Sequence, residues 1–202
     1  MGEMSRALVF DYDGVLADTE PLHWKSWEAL LLPYGFQFTW EEYCRFGQGV
    51  SDDLMFASIL NRVPGLSVGE LSRLNLLRKR EVLEWSLTKC PIPPETIRML
   101  TTLKAYRIGL VTSSERTEVE PILRASAIYE KFDALVFGCD VAAHKPAPDP
   151  YLMIAKNLGV DTGIAFEDSE SGLESAQAAG FNAVRIDHPG ELAQVVARFL
   201  RD

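Results

Sequence analysis

Residues 7–20 read ALVFDYDGVLADTE, a short apolar run followed at once by two aspartates and a glycine. The run has the composition of a buried β-strand. Carboxylates at the end of such a strand are costly unless a cation or a charged partner offsets them, and Gly14 lets the chain turn sharply away. Asp11 and Asp13 therefore indicate a functional site, although an ordinary strand that ends in a polar turn has the same local pattern.

Four more apolar runs alternate with helical patterns in the second half of the chain, at 108–111, 134–137, 164–166 and 183–186. The helices predicted between them are 114–125, which Ser114 would cap, 148–158 and about 171–179. Such alternation is typical of parallel strands connected by helices. The pattern predicts an α/β fold with a doubly wound, Rossmann-like parallel sheet.

The first two predicted strands are separated by about ninety residues, several times the length that a strand–helix–strand connection needs. The intervening sequence is helical in pattern: Trp24, Trp27 and Leu30 share one stripe, and Ser67 has capping-box spacing to Glu70. We therefore expect an inserted all-helical cap domain, residues 17–92. The α/β core would then consist of residues 1–16 and 93–202.

The net charge of the chain disfavours two classes of binding partner. Twenty basic and twenty-nine acidic side chains give a formal net charge of −9, which disfavours binding to nucleic acids and to anionic membrane surfaces. The sequence has neither a signal-peptide pattern nor an apolar stretch of membrane-spanning length. We expect a cytoplasmic protein, a monomer, whose partner is a small phosphorylated metabolite rather than a nucleic acid or a membrane.

Polar residues also follow the other predicted strands. They are the hydroxyl cluster at 112–114, Lys145 within the sequence HKP, and the pair Glu167 and Asp168. Each has an ordinary explanation when taken alone: a helix cap, a solvated lysine and the start of a loop. Ligands of open α/β sheets bind outside the carboxyl ends of the strands. Polar groups at four successive strand ends therefore indicate one shared site.

Three motifs carry a family resemblance. They are Asp-x-Asp-Gly-Val-Leu-x-Asp-Thr-Glu at 11–20, Lys-Pro-x-Pro-Asp-Pro at 145–150 and Glu-Asp-Ser-x-x-Gly at 167–172. The chain resembles the haloacid dehalogenase superfamily, in the branch that includes β-phosphoglucomutase and phosphoglycolate phosphatase. Because the order of the motifs and the helical insertion also match, the resemblance covers essentially the whole chain.

The resemblance implies a phosphoryl-transfer mechanism. Asp11 would be the nucleophile and form an aspartyl-phosphate. Asp13 would protonate the leaving oxygen and later activate water. Magnesium is the implied metal, held by the carboxylates of Asp11 and Asp168, by the backbone carbonyl of Asp13, and by Glu167 directly or through water.

The same resemblance assigns the phosphate contacts. Lys145 and Thr112 would hold the oxygens of the transferring phosphoryl group, and Ser113 would contribute its backbone N–H. A lysine and a metal would together offset the acidic pocket, which an anionic substrate could not otherwise enter.

Specificity would come from the cap, where three features match the family. His23 follows the nucleophile motif at the family's spacing, and would orient Asp13 or contact substrate; a buried structural histidine is equally consistent. Gly49 lies in the sequence QGVS at 48–51, which resembles the substrate-facing cap loop. Lys79 falls where relatives place a lysine that reaches the site, although residues 78–80 also fit a solvated helix face.

One departure from the mutase pattern concerns the residue after this loop. β-Phosphoglucomutase-like enzymes place there an arginine that binds the second phosphate, whereas this chain has Asp52 and Asp53. Two acids would repel a bisphosphate, so the sequence favours hydrolysis of a small phosphomonoester, a sugar phosphate or a short phospho-acid. A phosphomutase and a catalytically silent binding module remain as alternatives, while the intact motif set disfavours dehalogenation.

Overall fold

A computed structural model of the chain describes residues 7–48, 50 and 52–200. Its strands are β1 (Ala7–Phe10), β2 (Arg107–Val111), β3 (Ala134–Val136), β4 (Gly163–Glu167) and β5 (Asn182–Arg185). The helices of the described residues are α1 (Glu20–Leu31), α2 (Trp40–Phe46), α3 (Asp52–Leu60), α4 (Val68–Thr88), α5 (Pro94–Thr102), α6 (Arg116–Ala125), α7 (Asp149–Leu158), α8 (Glu170–Ala178) and α9 (Leu192–Phe199).

The five strands form one parallel sheet in the order β3-β2-β1-β4-β5. Strand β1 is central, with Phe10 in register with Leu110 of β2 and Phe166 of β4. All four residues of β1 are buried because both faces of a doubly wound sheet are covered by helices. The predicted α/β fold is confirmed, and its register places the ends of β1, β2 and β4 at one edge.

Two hydrophobic clusters hold the helices against the sheet. On one face, residues of α5, α6 and α9, among them Leu100, Leu123 and Val196, pack against Leu8 and Phe10. On the other face, α7 and α8 cover the side chains of β1 and β2 that point the opposite way. The alternation of side chains along each strand thus divides the core in two, as expected for a sheet between helical layers.

Helices α1–α4, here called the helical insertion (residues 20–88), pack around a third cluster of their own, which includes Trp27, Leu31, Tyr43 and Ile59. Ser67 accepts a hydrogen bond from the Glu70 backbone N–H and begins α4, as its spacing predicts. A separate core is what an independent helical unit requires. The domain boundaries at residues 16/17 and 92/93 stay a prediction.

Helix α6 begins later than predicted. Its first residue is Arg116, preceded by Glu115 in extended conformation, so Ser114 does not cap it. The Ser114 hydroxyl instead donates to Asp13 Oδ2 at 2.7 Å. The prediction of Ser114 as the cap was wrong because Glu115 occupies the N-cap position, and its backbone N–H donates to Glu118 Oε2 at 3.2 Å.

No helix within the described ranges is both long enough and apolar enough to cross a bilayer.

Candidate active site

Asp11, Lys145 and Glu167 meet at the carboxyl edge of the sheet. Asp11 follows β1 directly, and its backbone N–H donates to the Phe166 carbonyl at 3.0 Å, which continues the ladder by one residue. The Lys145 Nζ lies 2.9 Å from Asp11 Oδ1 and 2.6 Å from Glu167 Oε1, and it also donates to the Val111 carbonyl. All three charged side chains are buried. Burial opposes the charge on Lys145, but the two carboxylates outweigh it and raise the pKa of this lysine.

Asp168 adds a third carboxylate. Its oxygens, with those of Asp11 and Glu167, include ligand atoms that all lie within 4.8 Å of one another. We call Asp11, Lys145, Glu167 and Asp168 the strand-end cluster. Three carboxylates and one ammonium leave two negative charges in excess. Burial, and then the Glu20 charge, raise the pKa of Asp168; burial, and then the Glu167 charge, raise the pKa of Asp11.

Two carboxylate oxygens of this cluster lack a hydrogen-bond donor among the described residues: Glu167 Oε2 and Asp168 Oδ1. Buried acceptors without a donor are costly. A hard divalent cation prefers carboxylate oxygens as ligands. Bound here, it would coordinate the oxygens that lack donors and neutralise the two excess negative charges. The donor set therefore fits a magnesium-type ion.

Two glycines let the backbone come this close. A Cβ on Gly14 would lie 1.8 Å from Asp168 Oδ2, and Gly14 has a φ of +72°. A Cβ on Gly172 would lie 2.0 Å from Glu167 Oε2. Neither position accepts a larger residue without moving a carboxylate, so the motif glycines are part of the site's geometry.

Asp13 lies beside the cluster in a different environment. Its Oδ1 accepts from the Thr19 hydroxyl at 2.5 Å and from His23 Nε2 at 3.2 Å, and its Oδ2 accepts from Ser114. Burial would raise the pKa of Asp13, but hydrogen bonds from His23, Thr19 and Ser114 lower it to about 2. These contacts stabilise the ionised form.

The surroundings thus raise the pKa of Asp11 and lower the pKa of Asp13. An Asp11 nucleophile and an Asp13 general acid need the reverse order. That order reflects the charges of the protein alone: a cation beside Asp11 would lower its pKa, and an anionic phosphate near Asp13 would raise that of Asp13.

The residues after β2 complete this edge. Thr112 is buried, and its hydroxyl accepts from the Ser114 backbone N–H at 3.0 Å. Thr112 and Ser113 line the same cavity as Asp11 and Asp13. The structure therefore brings the predicted phosphate contacts next to the predicted nucleophile.

The cavity has a volume of about 440 Å³ and lies between the sheet edge and the helical insertion. A space of this size suits a small metabolite. From the insertion, the cavity is lined by residues that include His23, Asp52, Arg78 and Lys79. His23 is buried, contacts Asp13 and lines the cavity, a position compatible with all three roles considered from the sequence: orienting Asp13, contacting substrate and filling a buried position.

Four charged side chains of the cavity lining contact one another: Asp52, Arg78, Lys79 and Glu118, here called the insertion-side network. The Lys79 Nζ lies 2.7 Å from Asp52 Oδ2 and 2.9 Å from Glu118 Oε2. Arg78 lies 3.6 Å from Asp52 and 3.9 Å from Glu118. Because Glu118 belongs to α6 and the other three to the insertion, the network joins the two parts of the molecule.

This network corrects the solvated-face interpretation of residues 78–80. The Arg78 side chain is 7% exposed and that of Lys79 18%, whereas only Arg80 of the three lies on the solvated face, at 75%. A run of three basic residues on one helix necessarily turns through different faces, since successive positions differ by about 100°. Gly49, a predicted substrate contact, lies outside the described residues.

Several contacts of the site were not predicted. Gln48 Nε2 donates to Asp168 Oδ2 at 2.6 Å, and the Tyr151 hydroxyl donates to Glu167 Oε1 at 2.5 Å. Thr19 stood within the opening motif, which was the signal that could have identified it. Gln48 stood within the sequence QGVS, but its partner Asp168 is 120 positions away in the chain. For Tyr151 the sequence holds no such signal, because Glu167 is brought near only by folding.

Comparisons with known proteins agree with this geometry. A family model described as haloacid dehalogenase-like hydrolase matches residues 8–186. Fructose-1-phosphate phosphatase YqaB of Escherichia coli is 31% identical over 188 residues, which cover 92% of this chain and 98% of the relative. β-Phosphoglucomutase of Bacillus subtilis is 28% identical, over 90% of this chain and 84% of its own.

Among solved structures, β-phosphoglucomutase from Clostridium difficile superposes with a TM-score of 0.79 at 22% identity and covers 98% of both chains. At this identity the superposition supports the fold, including the helical insertion, and the sequence matches carry the family relationship.

Proposed function

The chain belongs to the haloacid dehalogenase-like hydrolase family, and from this premise we propose that it hydrolyses a small phosphomonoester through an aspartyl-phosphate on Asp11. The observation that carries the proposal is the strand-end cluster. It combines a nucleophilic carboxylate that lines the cavity with one buried lysine and two acidic oxygens that lack donors among the described residues.

The first step forms a bond between an Asp11 carboxylate oxygen and phosphorus while the ester oxygen leaves. Asp13 supplies the proton that the leaving alkoxide takes up. In the second step Asp13, now ionised, accepts a proton from water, whose oxygen attacks phosphorus and releases phosphate from Asp11. Thr112, Ser113 and Lys145 lie near Asp11 and would hold the phosphoryl oxygens.

Magnesium is the proposed cofactor, with Asp11, Asp168, Glu167 and the Asp13 backbone carbonyl as its protein ligands. When bound, the ion would neutralise charge on the phosphoryl oxygens and on the nucleophile's surroundings. Its carboxylate ligands are already buried. Lys145 contacts Asp11 and Glu167, and the backbone at Gly14 and Gly172 lies close to Asp168 and Glu167.

The cavity wall favours a substrate with one phosphate and an uncharged remainder. The two cations of the insertion-side network are both paired with acids, and Asp53 and Glu115 also line the cavity. A second phosphate or a carboxylate would meet an excess of negative charge there. Of the two proposed classes, a sugar monophosphate fits this wall better than a phospho-acid, in agreement with the activity named for the E. coli relative.

A phosphomutase is the second candidate, because β-phosphoglucomutase of B. subtilis is also a relative. In that case the phosphate on Asp11 would return to a substrate hydroxyl instead of passing to water. The mutase needs a bisphosphate intermediate to bind with its second phosphate at the wall, where Asp52 lies 2.7 Å from Lys79 and engages its charge.

The test is phosphate release from fructose 1-phosphate, other sugar monophosphates and phosphoglycolate, with magnesium or with a chelator. We expect magnesium-dependent release that Asp11→Asn abolishes. In parallel, β-glucose 1-phosphate is incubated with a bisphosphate primer. Isomerisation without release would instead establish the mutase, and silence in both assays would contradict the proposed chemistry.

A further inference from the structure

A buried chain of three side chains connects the helical insertion to the acid/base residue. Arg78 Nη1 lies 2.5 Å from His23 Nδ1, and His23 Nε2 lies 3.2 Å from Asp13 Oδ1. Arg78, His23 and Asp13 come from α4, from α1 and from the turn after β1. The sequence does not show which atom donates and which accepts in either contact of the His23 imidazole.

The chemistry of arginine decides that direction. A guanidinium has only N–H donors and stays protonated, so it can contact Nδ1 only if Nδ1 accepts. An imidazole whose Nδ1 accepts carries its proton on Nε2 in the neutral form. His23 Nε2 is then the donor toward Asp13 Oδ1, which is also the oxygen that the Thr19 hydroxyl contacts.

The guanidinium is itself fixed by its surroundings. Arg78 Nε donates to Asn75 Oδ1 at 2.9 Å, and Asn75 in turn donates to Asp52 at 2.9 Å. The Trp27 ring lies beneath the Arg78 guanidinium, 5.2 Å from its centroid. The Arg78 side chain is 7% exposed and is held by Asn75 and Trp27, so its donors cannot easily turn away from His23.

We propose that Arg78 is a positioning residue that fixes His23 as the Nε2–H tautomer, so that His23 donates to Asp13 Oδ1. The consequence for catalysis rests on the proposed function. With two donors on Oδ1, the proton that Asp13 carries as an acid lies on Oδ2; the Ser114 hydroxyl, which donates to Oδ2 of the ionised form, then turns its own proton away. In the other tautomer Nε2 would accept, and the Asp13 proton would be held at Oδ1 by the imidazole instead of being available to the leaving group.

The direct test is ¹⁵N NMR of histidine-labelled protein at neutral pH. The chain has three histidines, and His23→Gln identifies the signals of His23. We expect a pyridine-type shift at His23 Nδ1 and a pyrrole-type shift at Nε2. In Arg78→Met the two shifts should move toward each other, because Nδ1 no longer faces a fixed donor and can itself carry a proton. A wild-type protein with Nδ1 protonated, or a variant with unchanged shifts, would overturn the proposal.

Lys79→Met is the matched control. The substitution removes a positive charge that pairs with the same acids as Arg78 does, Asp52 and Glu118. The contacts of the His23 imidazole described above do not include Lys79. We expect the His23 shifts of this variant to match the wild type. If Lys79→Met moves them as much as Arg78→Met does, the effect is one of net charge and the tautomer assignment to Arg78 fails.

A kinetic readout tests the consequence. A sugar alkoxide needs a proton to leave, whereas p-nitrophenolate does not. Arg78→Met should therefore lower kcat about 10-fold or more for a sugar phosphate and change it little for p-nitrophenyl phosphate. An equal loss for both substrates would contradict the positioning role. A wild type without phosphatase activity would contradict the proposed function alone, because the NMR result does not depend on it.

Discussion

The strand-end cluster and the insertion-side network both place carboxylates beside cations at one cavity, but their charges add differently. The strand-end cluster has three buried carboxylates against one lysine, and two of its oxygens lack donors among the described residues. The insertion-side network balances two carboxylates against two cations and is partly exposed. An unbalanced buried cluster calls for an ion or a ligand, whereas a balanced one positions its neighbours and excludes further charge.

The largest expected effect is on the unbalanced side. Asp11→Asn removes the nucleophile while it keeps the shape of the side chain, so phosphate release should fall on the order of 10⁴-fold or more. Steady-state kinetics with magnesium measures this. Residual activity within tenfold of the wild type would show that another group is the nucleophile. Asp133→Asn, at a partly exposed site near the opposite end of β2, is the control for the loss of one carboxylate.

Lys145→Met should break the strand-end cluster next. It leaves Asp11, Glu167 and Asp168 buried without their cation, so the free energy of unfolding should fall by about 3–5 kcal/mol. Urea unfolding in the presence of a chelator gives the value. The control is Lys156→Met, on the solvent side of α7, for which a change within about 0.5 kcal/mol is expected. Equal stability of both variants would mean that the cluster does not need its lysine.

Glu20 lies where the two regions meet, and its pKa predicts a pH effect. Burial raises the pKa of Glu20 from 4.5 to about 7. As pH rises from about 4.5 to 7, the unfolded chain releases this proton first, so the wild type loses stability over that window. A pKa raised from 4.5 to about 7 corresponds to roughly 3 kcal/mol of lost stability once the pH is above this range.

Glu20→Gln removes this titration and keeps an oxygen for the Tyr43 hydroxyl, which donates to Glu20 at 2.5 Å. Relative to the wild type, the variant should therefore gain stability between about pH 4.5 and 7 and gain nothing more above that range. Urea unfolding of both proteins across this range, with a chelator, checks the direction. A constant difference at all pH values would contradict it.

The smallest effect is expected in the balanced network. Asp52→Asn frees part of the Lys79 charge, so the ratio of kcat/KM for fructose 1,6-bisphosphate to that for fructose 1-phosphate should rise by up to about fivefold, as for a partly exposed pair. Asp53→Asn removes the adjacent exposed carboxylate and is the matched control. Equal ratios in both variants would assign the discrimination to net charge rather than to the Asp52–Lys79 contact.

Most of the α/β core could be predicted because its signals are local. The ends of strands β1, β2 and β4 lie within a residue of the predicted runs, and the parallel orientation of the strands follows from the helices that connect them. Asp11, Thr112 and Asp168 could be predicted for the same reason, since each stands directly after a strand, whereas Lys145 lies well beyond the end of β3 and was identified through its motif. The contact between Ser114 and Asp13 could not be predicted, because the two residues are 101 positions apart in the chain.

The sequence by itself determined the family, the sheet and the residues that end its strands, since hydrophobic periodicity and short motifs specify where strands stop. Only the tertiary structure decided which way Arg78 faces, that Lys79 is engaged by Asp52 and Glu118, and that Gln48 and Tyr151 hold the acidic pair. These contacts join elements far apart in the chain, so their donors and acceptors are matched only when the helical insertion packs over the sheet edge.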